Sequence, residues 1–274
     1  RATRGGPLMK TTNGYFGNVW VSTDSRQDIV IGAGMNGGRS ESGGFRVSFD
    51  QNIEWKPSSS VSVSLSPSFS RDITIAQWVR AKNDPTATNT YGSRYIFARL
   101  EQQEFSSSIR VDWTFSPKLS LQAYIQPLIS VGTYTNFKEL KQPGTYTFNN
   151  YGVDNGSTIQ QADHDYQVVF DPANPADSTQ IQAGDYIIDG DGAGPGVPFR
   201  VGNPNFNSKF LQFNAVLRWE YMPGSTMYFV WTRSGSNFNN AGNYNFGRDI
   251  GELISTPDHN DVFLIKIAYW WNPQ

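Results

Sequence analysis

Cysteine is absent from the 274-residue chain, and only two histidines, His164 and His259, occur. The absence of cysteine excludes disulfides, thiol catalysis and cysteine-ligated metals. No run of about 18 consecutive apolar residues is present, which argues against a transmembrane helix. The formal net charge of −2 comes without a basic stripe, so no nucleic acid is expected as a partner. The first residues have no apolar segment of the signal-peptide type, so we expect a processed chain or the C-terminal part of a longer protein.

An aromatic residue followed by any residue and a proline occurs three times, each time after a stretch of alternating apolar and polar residues. The three places are Trp55-Lys56-Pro57, Phe115-Ser116-Pro117 and Tyr221-Met222-Pro223. Proline suits a tight turn, because such a turn fixes φ and needs no backbone N–H for a strand ladder. We expect Trp55, Phe115, Tyr221 and the late Trp271 to form an aromatic girdle at one level, as amphipathic rings do at a membrane interface.

Alternation with a period of two residues is clearest in five segments: 45–55, 59–70, 105–115, 119–131 and 211–221. The terminal segment 261–271 is strongly apolar on one face, and 13–23, 28–36 and 226–236 are weaker candidates. Runs of about ten such residues have the length at which a tilted strand crosses a bilayer. The pattern predicts nine strands, and two of them, at 59–83 and 91–115, are very long.

Short connections alternate with longer ones along the chain, as in barrels that have short periplasmic turns and long external loops. We therefore predict an all-β fold, an antiparallel transmembrane β-barrel or its C-terminal part, that spans residues 1–274 in the bacterial outer membrane. A long external loop is expected at about 136–207. Single-chain bacterial barrels are usually even-stranded, so nine strands indicate that the first strands are missing. The alternative is a soluble β-sandwich or propeller, whose strands alternate too.

Charged residues recur on the polar side of the predicted strands, with both signs close together. They are Arg46, Asp50, Glu54, Arg110, Asp112, Arg218, Glu220 and Lys266. In a barrel these side chains point into the lumen. Two interpretations stay open: the charges line a conduit or solute site, or they pair with one another inside a narrow or plugged interior.

The predicted external loop is acidic and aromatic. Asp189-Gly190-Asp191-Gly192 supplies oxygen ligands of the kind calcium prefers, although the spacing is not that of an EF-hand. Asp189 and Asp191 are therefore candidate calcium ligands, and calcium is the one cofactor considered. Five aromatic residues of the loop are suited either to stacking on sugar rings or to packing the loop against itself: Tyr146, Phe148, Tyr151, Tyr166 and Tyr186.

Four stretches carry a family resemblance: Thr3–Met9, Tyr91–Pro127, Asn214–Thr232 and the ending Val262–Trp271. Together they resemble a bacterial family of unknown function that has an N-terminal module like family-9 carbohydrate-binding domains and a C-terminal outer-membrane β-barrel. The resemblance implies a barrel and assigns no reaction. It also implies that the N-terminal module and the first barrel strands lie outside this chain.

Catalytic motifs are scarce. No Gly-x-Ser-x-Gly elbow occurs, and the GxGxxG at Gly32–Gly37 has no βαβ context. We therefore expect a non-enzymatic outer-membrane protein that acts in solute passage or as a surface-exposed binding or assembly component. Its expected partners are the lipid bilayer, other outer-membrane or surface proteins, and carbohydrate. The alternatives are a carbohydrate-binding surface β-protein and an outer-membrane lipid esterase.

Overall fold

A computed structural model describes residues 2–171, 173, 178–255 and 258–271. Its strands before the long connection are β1 (Gly14–Ser22), β2 (Ile29–Ser40), β3 (Phe45–Ser58), β4 (Val61–Asn83), β5 (Ser93–Ser116) and β6 (Leu119–Leu140). Six short strands follow: β7 (Phe148–Asn150), β8 (Thr158–Gln161), β9 (Tyr166–Val169), β10 (Ser178–Ile181), β11 (Tyr186–Asp189) and β12 (Phe199–Val201). The last elements are β13 (Phe206–Met222), β14 (Ser225–Asn239), helix α1 (Phe246–Ser255) and β15 (His259–Ala268).

Nine long strands form one antiparallel meander in the order β1-β2-β3-β4-β5-β6-β13-β14-β15, and β7 adds to β6 at one end. The prediction of an all-β, antiparallel fold is confirmed, as are the nine long strands and the great length of β4 and β5, whereas the six short strands β7–β12 lie where only a loop was predicted. Within the described part of the chain, β1 pairs only with β2 and β15 only with β14, so the sheet is open at both edges.

The connections differ from the expectation at two places. Strand β2 continues to Ser40, which leaves only residues 41–44 before β3. Strand β6 continues to Leu140 and β13 begins at Phe206, so the long connection is 141–205 rather than 136–207. The alternation did not predict the end of β6, because all four residues from Phe137 to Leu140 are buried. A strand that is buried on both faces lacks the alternation that marks a half-exposed strand.

We call the end of the sheet with the short connections at 23–28, 59–60, 117–118 and 223–224 the turn end, and the opposite end the loop end. The register separates two faces. On one of them Phe49, Phe69 and Phe105 lie side by side on β3, β4 and β5; we call it the apolar face. On the other, Asp50, Ser68 and Ser106 lie side by side on the same strands; we call it the polar face.

The hydrophobic core lies at the loop end, where the connection 141–205 folds back on the polar face of β5 and β6. We call this connection the cap. Seven buried residues of β5, β6 and the cap form the core: Ile96, Ala98, Phe137, Tyr151, Ile188, Phe199 and Val201. Ile96 and Ala98 have the same parity on β5 as Ser106, which places them on the polar face. None of the described helices is both long enough and apolar enough to span a membrane.

The GxGxxG sequence lies in β2, and two of its glycines leave space for an aromatic ring. The indole of Trp20 lies on the polar face across Gly32 and Gly34, where a Cβ would come within 2.6 Å of the ring at Gly32 and would overlap it at Gly34. Trp20 and Gly34 are direct partners in the β1–β2 ladder. These glycines therefore serve strand packing, as expected from the missing βαβ context.

We predict that Gly34→Ala destabilises the protein by about 1–3 kcal/mol, because the added methyl group forces the Trp20 ring out of its place. Urea unfolding followed by tryptophan fluorescence measures this change. Gly17→Ala is the matched control on the neighbouring strand, since no atom lies within 4 Å of a Cβ built there. Equal unfolding free energies for the two variants would show that Trp20 does not need the glycine.

Candidate functional site

Large apolar side chains on the apolar face lie uncovered by the rest of the protein. Phe49, Trp113 and Trp219 each keep about half of their surface exposed (47%, 44% and 44%), and Phe263 on the edge strand keeps 73%. Other exposed members of the face include Val19, Val21, Ile31, Met35, Phe69, Phe229, Ile265 and Ile267. A folded protein in water seldom leaves so continuous an apolar surface open. This surface is the main candidate for a functional contact.

The apolar belt has a limited height along the strands. On β4 the apolar alternation runs from Val61 to Phe69, and on β5 it runs from Phe115 back to Phe105 with Ser107 as its one polar member. These are stretches of nine and eleven residues by their numbers, which at about 3.3 Å per residue measure roughly 26–33 Å along the strand. Above them the same face turns polar, with Arg71 and Glu101 as the next paired charges.

The four aromatic residues predicted to form a girdle lie at the turn end. Trp55, Phe115 and Tyr221 stand in the last residues of β3, β5 and β13, and Trp271 follows the end of β15. Since all four strands run toward the short turns, their ends meet at the same edge of the sheet. Trp113 lies beside Phe115, with a centroid distance of 4.4 Å, and Trp219 lies 6.1 Å from Tyr221.

Helix α1 bounds the belt at the loop end. It covers polar side chains on the apolar face: Asn207 donates a hydrogen bond to Asp249 (3.0 Å), and the Lys209 ammonium lies 2.7 Å from Glu252. Asn207, Lys209 and Asp249 are all fully buried. Although burial opposes ionisation of Asp249, hydrogen bonds from the Asn245 amide, Arg248 and Asn207 lower its pKa. The sequence interpretation placed only a loop at 237–260, so it missed this helix.

The charges on the polar face engage one another and their polar neighbours near β3. Arg46 lies 3.9 Å from Asp72 on β4, and Glu54 lies 2.8 Å from Lys56. Asp50 accepts hydrogen bonds from Asn36 (2.7 Å), Ser48 (3.1 Å) and Ser68 (2.6 Å). Asp50 thus ties together three neighbouring strands.

The remaining predicted lumen charges also have defined neighbours. The Arg110 guanidinium lies over the Tyr124 ring at 5.4 Å, and Asp112 accepts a hydrogen bond from Gln122 at 3.0 Å. Arg218 lies 3.5 Å from Glu220. Lys266 lies 5.9 Å from the centre of the Tyr228 ring. The eight charges are therefore spread over the face as small local groups, and the structure does not gather them into one cluster.

Beneath the cap, Arg94 of β5 is the centre of a buried ionic network that the sequence interpretation did not find. Its side chain is 5% exposed and lies 2.5 Å from Asp84 and 3.0 Å from Glu139. Asp191 lies farther away, at 3.9 Å. Tyr151 donates its hydroxyl to Glu139 at 3.1 Å. The members are distant in sequence and obey no spacing rule, so no local signal indicates them.

The network shifts the ionisation of its members. Burial opposes ionisation of Asp84, but hydrogen bonds from Thr86 and Arg94 outweigh burial and lower its pKa. Burial would lower the pKa of Arg94, yet the carboxylates of Asp84 and Glu139 raise it. Burial and the nearby Glu139 raise the pKa of Tyr151. Arg94 and Asp84 therefore stay charged over the whole neutral range.

The two candidate calcium ligands have protein partners. The carboxylate of Asp189 accepts hydrogen bonds from the amides of Asp191 (3.3 Å) and Gly192 (2.9 Å), and Asp191 accepts one from the amide of Gly196 (3.0 Å). Among the described residues, no group of three or more His, Cys, Asp or Glu side chains is arranged to hold a metal ion. The calcium hypothesis thus stays a prediction.

Most of the cap aromatics considered for sugar stacking pack inside the protein. Tyr151 is 5% exposed, Phe148 contacts Phe97, and Tyr186 lies 4.4 Å from Phe137. Tyr146 packs edge-on against Phe148. Tyr166 lies beside His164 at the surface. The structure therefore uses four of these rings in packing against one another or against the strands, and it leaves Tyr166 half-buried beside His164.

A family model described as "Domain of unknown function (DUF5916)" matches residues 2–175 and 183–272. The chain belongs to this family. Neither the search of curated proteins nor the search of solved structures found a match. The DUF5916 assignment brings no reaction, ligand or partner with it.

We predict that Arg94→Met destabilises the cap by about 3–5 kcal/mol, because it leaves Asp84 and Glu139 buried without their cation. Hydrogen–deuterium exchange of peptides from residues 141–205 measures the loss of protection. Arg26→Met is the control, because Arg26 also pairs with an aspartate but is 87% exposed, and we expect no measurable change. If the two variants exchange alike, the Arg94 network does not hold the cap.

The cap should also weaken in acid. The pKa of Asp84 is lower in the folded protein than the value of about 3.9 for an unfolded chain, so its contribution is complete above that value and is lost as the pH falls through the folded pKa. We therefore expect the stability difference between the unsubstituted protein and Asp84→Asn to shrink as the pH is lowered from about 7 to about 3. Exchange rates of the cap peptides at each pH measure this difference. A difference that stays constant would contradict the assignment.

Proposed function

We propose that this DUF5916 chain forms the wall of a bacterial outer-membrane β-barrel, with its apolar face against lipid and its polar face inward. In this proposal the turn end lies at the periplasmic surface and the cap lies outside the cell. The protein is non-enzymatic and acts as a surface-exposed binding or assembly component.

The observation that carries the proposal is the uncovered apolar belt. A belt of nine to eleven alternating residues has the length that a tilted strand needs to cross the hydrocarbon core. It ends at rings such as Trp55 and Phe115 on one side and at charges such as Arg71 and Glu101 on the other. Membrane barrels have the same order of aromatic girdle, apolar band and polar extension.

The register of the sheet supports the same proposal through its stagger. One row of directly paired residues crosses eight strands: Val19, Met35, Phe49, Phe69, Phe105, Ile129, Lys209 and Asn237. On β1 the row lies seven residues (26 − 19) from Arg26, which is in the first short turn. On β14 it lies thirteen residues (237 − 224) from Gly224, which is in the last short turn. The distance from the row to the short turns therefore grows by six residues across the seven spacings between these strands. If the short turns lie at one level, this growth corresponds to a strand tilt of about 30°. This tilt is slightly smaller than the tilt of about 35–45° that barrel strands have.

Closure of this barrel requires further strands. Strands β1 and β15 both run toward the turn end, so direct pairing of the two edges would be parallel. An odd number of additional strands makes every contact antiparallel and gives the usual even total. The family resemblance implies that such strands, and a module similar to carbohydrate-binding domains, stand on the N-terminal side.

The cap favours binding or assembly over open passage. It packs on the polar face of β5 through Ile96 and Ala98, which in a barrel places it over the lumen. The charges that would select permeant ions are already engaged locally, as with Arg46 and Asp72 or Arg218 and Glu220. Solute passage remains the second candidate, because the polar face carries a continuous serine series from Ser62 to Ser70 on β4.

The lipid-facing assignment is tested with single cysteines, which the cysteine-free chain permits without background. A nitroxide on Leu217→Cys, on the apolar face, should be relaxed more strongly by oxygen than by a water-soluble nickel complex in lipid vesicles. A nitroxide on the adjacent Val216→Cys, on the polar face, should show the opposite preference, because successive side chains of a strand point to opposite faces. Equal access of the nickel complex to both labels would refute the proposal.

A further inference from the structure

A cleft of about 600 Å³ lies at the loop end, between the tip of the β4–β5 hairpin and the cap. Its volume falls in the range of small-molecule sites. The hairpin contributes residues 80 and 82–86, and the cap contributes residues around β9, β10 and β12. The cleft is separate from the apolar belt and from the eight charges on the polar face, so what it binds does not depend on whether the sheet meets lipid.

Two cations stand in this cleft without a carboxylate partner in the described part of the chain. Arg80 donates a hydrogen bond to the backbone carbonyl of Arg200 at 3.0 Å, which fixes its guanidinium and leaves its charge uncompensated. Lys82 stands two residues farther along the same hairpin and makes no ion pair with any described residue. Both residues therefore have charge and N–H donors left for a ligand.

The other charges of the cleft are engaged elsewhere. Arg200 pairs with Asp185 at 2.6 Å, and Asp84 pairs with Arg94 at 2.5 Å. Asp171 accepts a hydrogen bond from the amide of Ala173 at 2.8 Å. After these pairs are counted, the described lining has two unpaired cations against one carboxylate. The cleft is therefore a better site for an anion than for a cation.

Part of the lining of the cleft is apolar. The buried ring of Phe199 and the half-buried ring of Phe170 lie in it, together with Pro195, Val197 and Pro198. Such a wall excludes water on one side of a ligand and strengthens the charge-assisted hydrogen bonds on the other. A ligand that fits carries an oxyanion at one end and a ring or short chain at the other.

We propose that this cleft binds a small organic anion, in which a carboxylate or phosphate contacts Arg80 and Lys82 and a ring lies against Val197, Pro198 and Phe170. The shared chemistry is an oxyanion on a compact ring. Acidic sugars and sugar phosphates both present it, and the experiment separates the two.

Calorimetric titration of the folded, detergent-solubilised chain tests this site with glucuronate, glucose 6-phosphate and neutral glucose as probes. We expect saturable binding of at least one of the two anions and none of glucose, because only the anions reach both cations. The anion that binds more tightly identifies the oxyanion. Arg80→Ala/Lys82→Ala should weaken binding by about tenfold or more, since two charge-assisted contacts are lost.

Two further variants keep the result independent of folding. Lys118→Ala/Lys141→Ala removes the same charge from exposed lysines outside the cleft and should leave the affinity unchanged. Val197→Trp fills the cleft while both cations remain, and it should abolish binding with no loss of cap protection in hydrogen exchange. Glucose binding as tightly as the anions, or an equal loss in the two double variants, would overturn the proposal.

Discussion

Every other feature of the protein depends on the antiparallel register of nine long strands. Because side chains alternate along each strand, a fixed register places Phe49, Phe69 and Phe105 on one face and Asp50, Ser68 and Ser106 on the other. A slip of one residue would exchange the two sets. The register therefore creates a surface that needs an apolar environment and, behind it, a surface that needs polar partners. In the proposed barrel, lipid on one side of the sheet and a polar interior on the other would meet both requirements at once.

The two ends of the sheet differ in how they are stabilised. At the turn end the connections are short and the rings of Trp55, Phe115 and Tyr221 stand at the strand ends. At the loop end the strands extend beyond the belt and both faces are covered: the cap lies mainly on the polar face, and α1, with Phe148 of the cap, covers part of the apolar face. Both covers bury charge. Arg94 is held by Asp84 and Glu139 beneath the cap, and Lys209 is held by Glu252 beneath α1.

These buried charges give the loop end a specific geometry. A buried ion pair adds little net stability compared with an apolar pair, but the loss of one partner is costly. The Arg94 network joins the β4–β5 hairpin, the end of β6 and the cap, so these elements have one preferred arrangement. The same arrangement leaves Arg80 and Lys82 beside the cap with uncompensated charge, which is why the proposed binding cleft lies there rather than on the sheet.

The sequence by itself determined the all-β class, the nine strands, their antiparallel order and the assignment of residues to two faces, because a period of two is a local property that survives wherever one face stays exposed. It also indicated the charges of the polar face and the aromatic ends of the strands. Only the tertiary structure decided the rest. The end of β6 and helix α1 are buried by distant segments, so their local patterns are weak. The Arg94 network and the Arg80–Lys82 cleft join residues more than a hundred positions apart in places, and only the path of the cap brings them together.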